Sequence, residues 1–146
     1  SNQACILSTV GNQDTHIVLR GGRDHTNYDA VSVDRVVERL SAEGCTPRVM
    51  VDCSHGNSGY DYTKQRIVVE AVADQLASGS SHIMGVMLES NLAAGKQAID
   101  APVLKRGVSV TDACLSWEMT KPLLARLAQV KRGLKQGVQY DQHLVV

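Results

Sequence analysis

The sequence predicts an α/β fold built on parallel strands, and three observations carry that prediction. Three short apolar runs alternate with two segments whose apolar residues recur at helical spacing. The connections between them are short, which implies right-handed βαβ crossovers. The third run is too continuously apolar for a one-sided surface strand, so a sheet covered on both faces is expected.

The elements follow in chain order. Residues 16–20, His-Ile-Val-Leu-Arg, read as a strand closed by Gly21-Gly22, where two glycines permit unusual backbone angles. From Ser32, a plausible N-cap, Val33, Val36, Val37 and Leu40 form a helical stripe that Gly44 stops. Residues 48–53 are a second strand, running into the polar turn Ser54-His55-Gly56-Asn57-Ser58. Residues 63–76 repeat the helical pattern with Ile67, Val68, Ala71, Val72 and Leu76, and residues 78–81 end it. Residues 82–90 are the third strand, and 91–110 a long loop. Thr111 is expected to open a final helical region in which Thr120 caps, Pro122 is tolerated early, and Leu123, Leu124, Leu127 and Val130 are buried.

Composition limits what such a chain can do. Fifteen Lys and Arg balance fifteen Asp and Glu, so no net positive field draws it to nucleic acid or anionic lipid. With no Phe and one Trp, base-stacking platforms are improbable and the core rests on aliphatic residues. The longest apolar runs fall far short of the roughly 20 residues of a membrane span. Cys5, Cys45, Cys53 and Cys114 lack CxxC spacing, which with the absence of a leader-like opening points to a reducing, cytoplasmic setting. Ser1-Asn2 reads as a cleavage scar within a start region 1–5, and 135–146 as a tail without pattern. At 146 residues the chain is too short for a complete eight-stranded barrel, which needs about 250. A three-stranded parallel sheet leaves two open edges, so the chain reads as part of something larger and as a homo-oligomer.

Ligands of α/β sheets bind outside the carboxyl ends of the strands, which singles out Arg20, His55 and Glu89, with Asp112 in the last loop. One imidazole and two carboxylates suit a divalent Mn, Fe, Co or Zn ion and leave coordination positions open. Plainer roles stand beside this one. His55 could cap its turn, Glu89 could cap the following segment, and Thr111-Asp112 could be helix N-cap chemistry. Arg20 could be a surface ion-pair partner, although a planar fork beside exposed glycine amides is equally a phosphate site. Cys53 reads as core, and Cys45 and Cys114 as small buried or helix-surface residues. Gly21-Gly22 lacks the full GxGxxG pattern, so a dinucleotide site is improbable.

Read together, Ile17-Val18-Leu19-Arg20-Gly21-Gly22-Arg23, Val51-Asp52-Cys53-Ser54-His55-Gly56-Asn57-Ser58, Gly85-Val86-Met87-Leu88-Glu89-Ser90 and Gly107-Val108-Ser109-Val110-Thr111-Asp112-Ala113-Cys114 form four motifs in register. In that order they resemble the C-terminal part of a type I 3-deoxy-D-arabino-heptulosonate 7-phosphate (DAHP) synthase, over about residues 6–134. The resemblance implies a partial TIM-type (β/α)8 barrel, about the last three βα units. It implies a metal-dependent condensation of phosphoenolpyruvate with erythrose 4-phosphate, opening the shikimate pathway of aromatic amino acid biosynthesis. By resemblance His55, Glu89 and Asp112 are metal ligands, Arg20 holds the phosphoenolpyruvate phosphate, and Arg20 and His55 are the catalytic pair.

The family's metal site also takes a Cys from an early strand, and its phosphate pockets take Lys and Arg from earlier strands. Those positions have no counterpart here, and none of the four cysteines replaces the missing ligand. The chain alone is therefore expected to be inactive. Two rival readings stand beside the resemblance: a non-catalytic metal- or phosphate-binding α/β module, and a plain α/β domain whose strand-end residues serve turns only.

Overall fold

The computed structural model describes residues 4–12 and 14–140. The reading of Ser1-Asn2 as a scar, and the last six residues of the expected tail, lie outside the described residues. Three strands, β1 (Ile17–Leu19), β2 (Val49–Asp52) and β3 (Ile83–Met87), form one sheet in the order β1-β2-β3. Both pairs are parallel, with Leu19 opposite Val51 and Val51 opposite Val86. The α/β prediction with parallel strands holds.

The pleat divides each strand between two faces. Leu19, Val49 and Val51 are at most 4% exposed and join Val33, Val37, Val68, Val69, Val72, Leu115 and Leu123 in a single core between sheet and helices. Val18, Met50 and Gly85 pair in register on the opposite face. There the expectation of a sheet covered on both faces fails, because Val18 and Met87 are 38% and 40% exposed. The helices pack on one side only, and the register shift between Val49 and Met50 leaves Met84 out of the ladder as a bulge.

Helix α1 (Ala30–Ala42) begins three residues earlier than its apolar stripe, because Asp29 is the N-cap, not Ser32. The Asp29 carboxylate accepts from Ser32 N at 2.9 Å and from Ser32 Oγ at 2.7 Å, so Ser32 is the residue being capped. Gly44 ends the helix as expected, in the left-handed region at φ 69°, with Cys45 N reaching back to Leu40 O at 2.8 Å. A single-turn helix α2 (His55–Ser58) follows β2 where a turn was expected. A 3₁₀ turn at Tyr62–Lys64, capped by Asp61, leads into α3 (Gln65–Ala77).

The last helix departs furthest from expectation. Helix α4 (Trp117–Tyr140) opens six residues after Thr111, and Ser116 Oγ accepts from Met119 N at 3.2 Å. Thr120 is therefore no cap. It is buried in the first turn, donating to Ser116 O at 2.9 Å and pairing with Ser90 Oγ at 2.6 Å, and Pro122 lies in the second turn. Leu123 and Val130 are buried as expected, whereas Leu124 is 44% exposed. The helix runs through part of the expected tail. The segment between β3 and α4 is tied down by isolated bridges of Ser90 to Leu115 and Gly95 to Cys114.

Candidate metal centre

The carboxyl ends of β2 and β3 and the segment before α4 converge. Among the described residues, one ligand atom each from His55, Glu89 and Asp112 lie within 4.8 Å of one another. His55 Nε2 is 3.8 Å from Glu89 Oε1 and 3.7 Å from Asp112 Oδ2. Bonds of about 2.0–2.2 Å to a shared ion place two ligand atoms roughly 3–4 Å apart, so this spacing fits a divalent cation.

The imidazole is oriented from behind. Its Nδ1 lies 2.7 Å from Asp52 Oδ2, and because a carboxylate only accepts, Nδ1 carries the hydrogen there and Nε2 is the nitrogen that faces the two acidic ligands. Asp52 is 2% exposed, and its second oxygen accepts from Ser54 N at 2.8 Å. His55 itself sits at φ 46°, in the left-handed region that a β-carbon disfavours. Such strain persists only where the surroundings over-determine it. Here Tyr60 N and Ser58 Oγ both donate to His55 O, at 2.8 Å and 3.2 Å, and the Tyr60 ring meets the imidazole edge-on.

Asn57 fastens this turn to β1. Its Nδ2 donates to Leu19 O at 3.0 Å and to Asp52 O at 2.9 Å, its Oδ1 accepts from Asn27 N at 2.8 Å, and its main-chain N donates to Arg20 O at 3.2 Å. The two chains approach so closely that a β-carbon on Gly56 would lie 2.6 Å from Gly22 O and 2.9 Å from Gly21 C. Only glycine fits that contact.

Arg20 is exposed at the end of β1, and its guanidinium makes no ion pair among the described residues. The neighbouring amides expected to help it hold a phosphate are already used. Gly21 N donates to Asn27 Oδ1 and Gly22 N to His25 O, each at 2.8 Å. Asp112 is not a helix cap, since α4 starts at Trp117, and no cap hydrogen bond involves the Glu89 side chain. Cys53 is core as predicted, fully buried, its thiol pushed up to about 12 by burial and then by the Asp52 charge. Cys114 is a small buried residue, one of the two places expected for it, in the segment that carries Asp112, whereas Cys45 is exposed just beyond α1.

Three supporting residues went unread in the sequence. The signal for Asp52 was its i, i+3 spacing to His55, and Asn57 lay in plain view in the same turn. Gln65 occupies the buried stripe of α3 with Val68, Val69 and Val72, where a lone polar residue asks for a partner. A separate cavity of about 630 Å³, lined by His16, Leu40, Cys45 and Arg48 among others, opens at the amino ends of β1 and β2, opposite the end where these ligands meet.

Comparison with known proteins matches this arrangement to one family. A sequence model of the DAHP synthetase I family matches residues 1–125. A phospho-2-dehydro-3-deoxyheptonate aldolase of Alternaria alternata is 49% identical over 126 residues, covering 84% of this chain and 34% of that protein. The tyrosine-inhibited aldolase of Schizosaccharomyces pombe is 46% identical over 141 residues, covering 92% and 37%. The Tyr-sensitive aldolase of Escherichia coli is 44% identical over 135 residues, covering 91% and 38%. The solved phospho-2-dehydro-3-deoxyheptonate aldolase of Francisella tularensis superimposes with a TM-score of 0.80 at 42% identity, over 86% of this chain and 37% of that one. The chain thus spans a little over a third of the length of these relatives. With most of its residues inside the family's sequence model, and its three parallel βα units laid over a solved member, the chain belongs to the DAHP synthetase I family.

Proposed function

We propose that this chain forms the metal- and phosphoenolpyruvate-binding side of a DAHP synthase, in a cytoplasmic setting. The observation that carries the reading is the convergence of His55, Glu89 and Asp112 at the carboxyl ends of parallel strands, with Asp52 fixing the imidazole. His55, Glu89 and Asp112 hold the ion, and Arg20 takes the phosphate of phosphoenolpyruvate with its planar guanidinium. When bound, a divalent Mn, Fe, Co or Zn ion supplies Lewis acidity toward the aldehyde carbonyl of erythrose 4-phosphate.

The chain's residues do the positioning. Asp52 accepts the hydrogen bond from His55 Nδ1, so Nε2 is the nitrogen left to face the substrate side as a ligand. Arg20 presents a fixed positive charge where the phosphate departs. C3 of the enol forms the new bond to the aldehyde carbon, water adds at C2, and the C2–O bond to phosphate breaks to release inorganic phosphate.

Residues 6–134 form this unit and contribute about three of the eight βα pairs. The remaining pairs, with the Lys, Arg and Cys positions that the family uses, lie outside this chain, so it does not turn over alone. The open edges of β1 and β3 and the exposed Val18 and Met87 favour homo-oligomers.

The test combines turnover, metal binding and mass. With phosphoenolpyruvate, erythrose 4-phosphate and manganese the purified chain yields no product, yet it binds manganese, and His55→Ala loses that binding. Robust turnover sinks the incomplete-site part of the proposal, and unchanged manganese binding by His55→Ala sinks the ligand assignment. A clean monomer in light scattering at high concentration sinks the oligomer.

A further inference from the structure

We propose that Gln65 is a positioning residue of the metal centre, one buried carboxamide that sets Glu89 and, through it, the segment carrying Asp112. The inference rests on the metal-site reading above. Gln65 lies at the start of α3 and is 0% exposed, so its amide is tolerated only if both ends are satisfied.

Both ends are satisfied by one residue. Gln65 Oε1 accepts from Glu89 N at 2.9 Å, and Gln65 Nε2 donates to Glu89 O at 3.1 Å. A side-chain amide offers one acceptor and one donor in a plane, the complement of a main-chain N–H and C=O, so the pair fixes the Glu89 backbone in position and rotation. This is needed because β3 ends at Met87, leaving Glu89 two residues beyond the ladder.

Glu89 O has a second donor, Leu115 N at 2.9 Å, and Asn91 N returns a bond to Leu115 O at 2.9 Å. Leu115 is three residues from Asp112 and 1% exposed. One carbonyl is thus the node at which α3, the end of β3 and the Asp112 segment meet. Loosening it lets two of the three ligands drift from His55, while His55 itself, held by Asp52 and Asn57, stays in place.

The test is manganese affinity, titrated by the electron paramagnetic resonance of free Mn(II), in Gln65→Met. Methionine keeps the volume and removes both hydrogen bonds. Gln75→Met is the matched control, since Gln75 lies on the same helix and its amide holds Tyr28 O at 2.8 Å, away from the ligands. The expectation is that Gln65→Met binds manganese about 10- to 100-fold more weakly than wild type, whereas Gln75→Met stays within about twofold even where its unfolding midpoint drops.

Equal affinity of Gln65→Met and wild type overturns the proposal, and so does an equal loss in Gln75→Met, which makes the effect general destabilisation. Absence of manganese binding by the wild-type chain brings down the metal reading and the positioning role together. Should Gln65→Met not fold, Gln65→Asn, which withdraws the amide by one methylene, is judged by the same criterion.

Discussion

His55 and Asp112 face each other at 3.7 Å, yet the chain holds them in opposite ways. The His55 turn is welded to two strands: Asn57 is 4% exposed and spans β1 and β2 with its amide, and Gly21 and Gly56 press backbone against backbone. The Asp112 side chain is 63% exposed and, among the described residues, its one ion-pair contact is with the imidazole. Its segment is carried by a few bridges to Ser90 and Gly95. The difference teaches that folding alone places the imidazole, including its strained φ, while the outer carboxylate is left adjustable. A centre that must admit a substrate beside its ion uses that division, with a rigid back wall and a yielding front.

The comparison breaks most visibly at Gly56. An added β-carbon there meets backbone on the β1 side, and backbone cannot rotate away. Gly56→Ala should therefore cost about 3 kcal/mol by urea unfolding. A cost below about 1 kcal/mol would mean that the two chains are not interlocked.

Asp52→Asn is next. Asparagine can accept from His55 or from Ser54 N, not from both, so the ring loses its fixed tautomer or Ser54 N loses its partner. Manganese should bind about 10- to 100-fold more weakly, with the unfolding midpoint much less affected. Unchanged affinity would show that the rigid wall contributes stability and not ligand orientation.

On the yielding side the expected effects are smaller. Gly95, which exchanges hydrogen bonds with Cys114, has φ 86° and open space where a β-carbon would go. Gly95→Ala then costs only backbone strain, about 1–2 kcal/mol by the same unfolding measurement. A loss as large as that of Gly56→Ala would erase the distinction between the two segments.

The same division marks what the sequence made legible. Strand order, parallel pairing and the ligand set could be read, because apolar runs end in motifs whose residues carry the chemistry. The positions of helix starts could not. Asp29 lay four residues before a stripe that begins at Val33, and a side chain that caps leaves no mark in hydrophobic periodicity. Ser116 likewise opens α4, while Thr111 and Thr120 look like caps in isolation. The open inner face of the sheet was hidden for another reason. Val18, Met50 and Met87 are apolar like any buried strand, and what covers such a face is a property of neighbours a short sequence does not contain. Arg20 shows the converse, since its glycine neighbours looked available and prove to be used by Asn27 and His25.

Two buried thiols, one behind each segment, carry the comparison into pH. Burial, with Asp52 adding, pushes Cys53 up to about 12. Burial also raises Cys114, where a hydrogen bond with Ser109 opposes it and the Glu89 charge adds to it. An unfolded thiol ionises near 9.0, so above that pH the unfolded chain sheds protons that the native chain retains. Native stability from these groups is thus complete below about pH 9 and falls as pH rises toward 12. The alkaline slope of the unfolding free energy should flatten in Cys53→Ala, and flatten less in Cys114→Ala, where the opposing hydrogen bond and the looser segment reduce the difference between the two states. Alkylation at pH 8 should follow the same order, with exposed Cys5 and Cys45 modified first, Cys114 later and Cys53 last. Equal slopes in the two alanine variants, or modification of Cys53 alongside Cys114, would mean that the wall behind His55 opens as readily as the segment that carries Asp112.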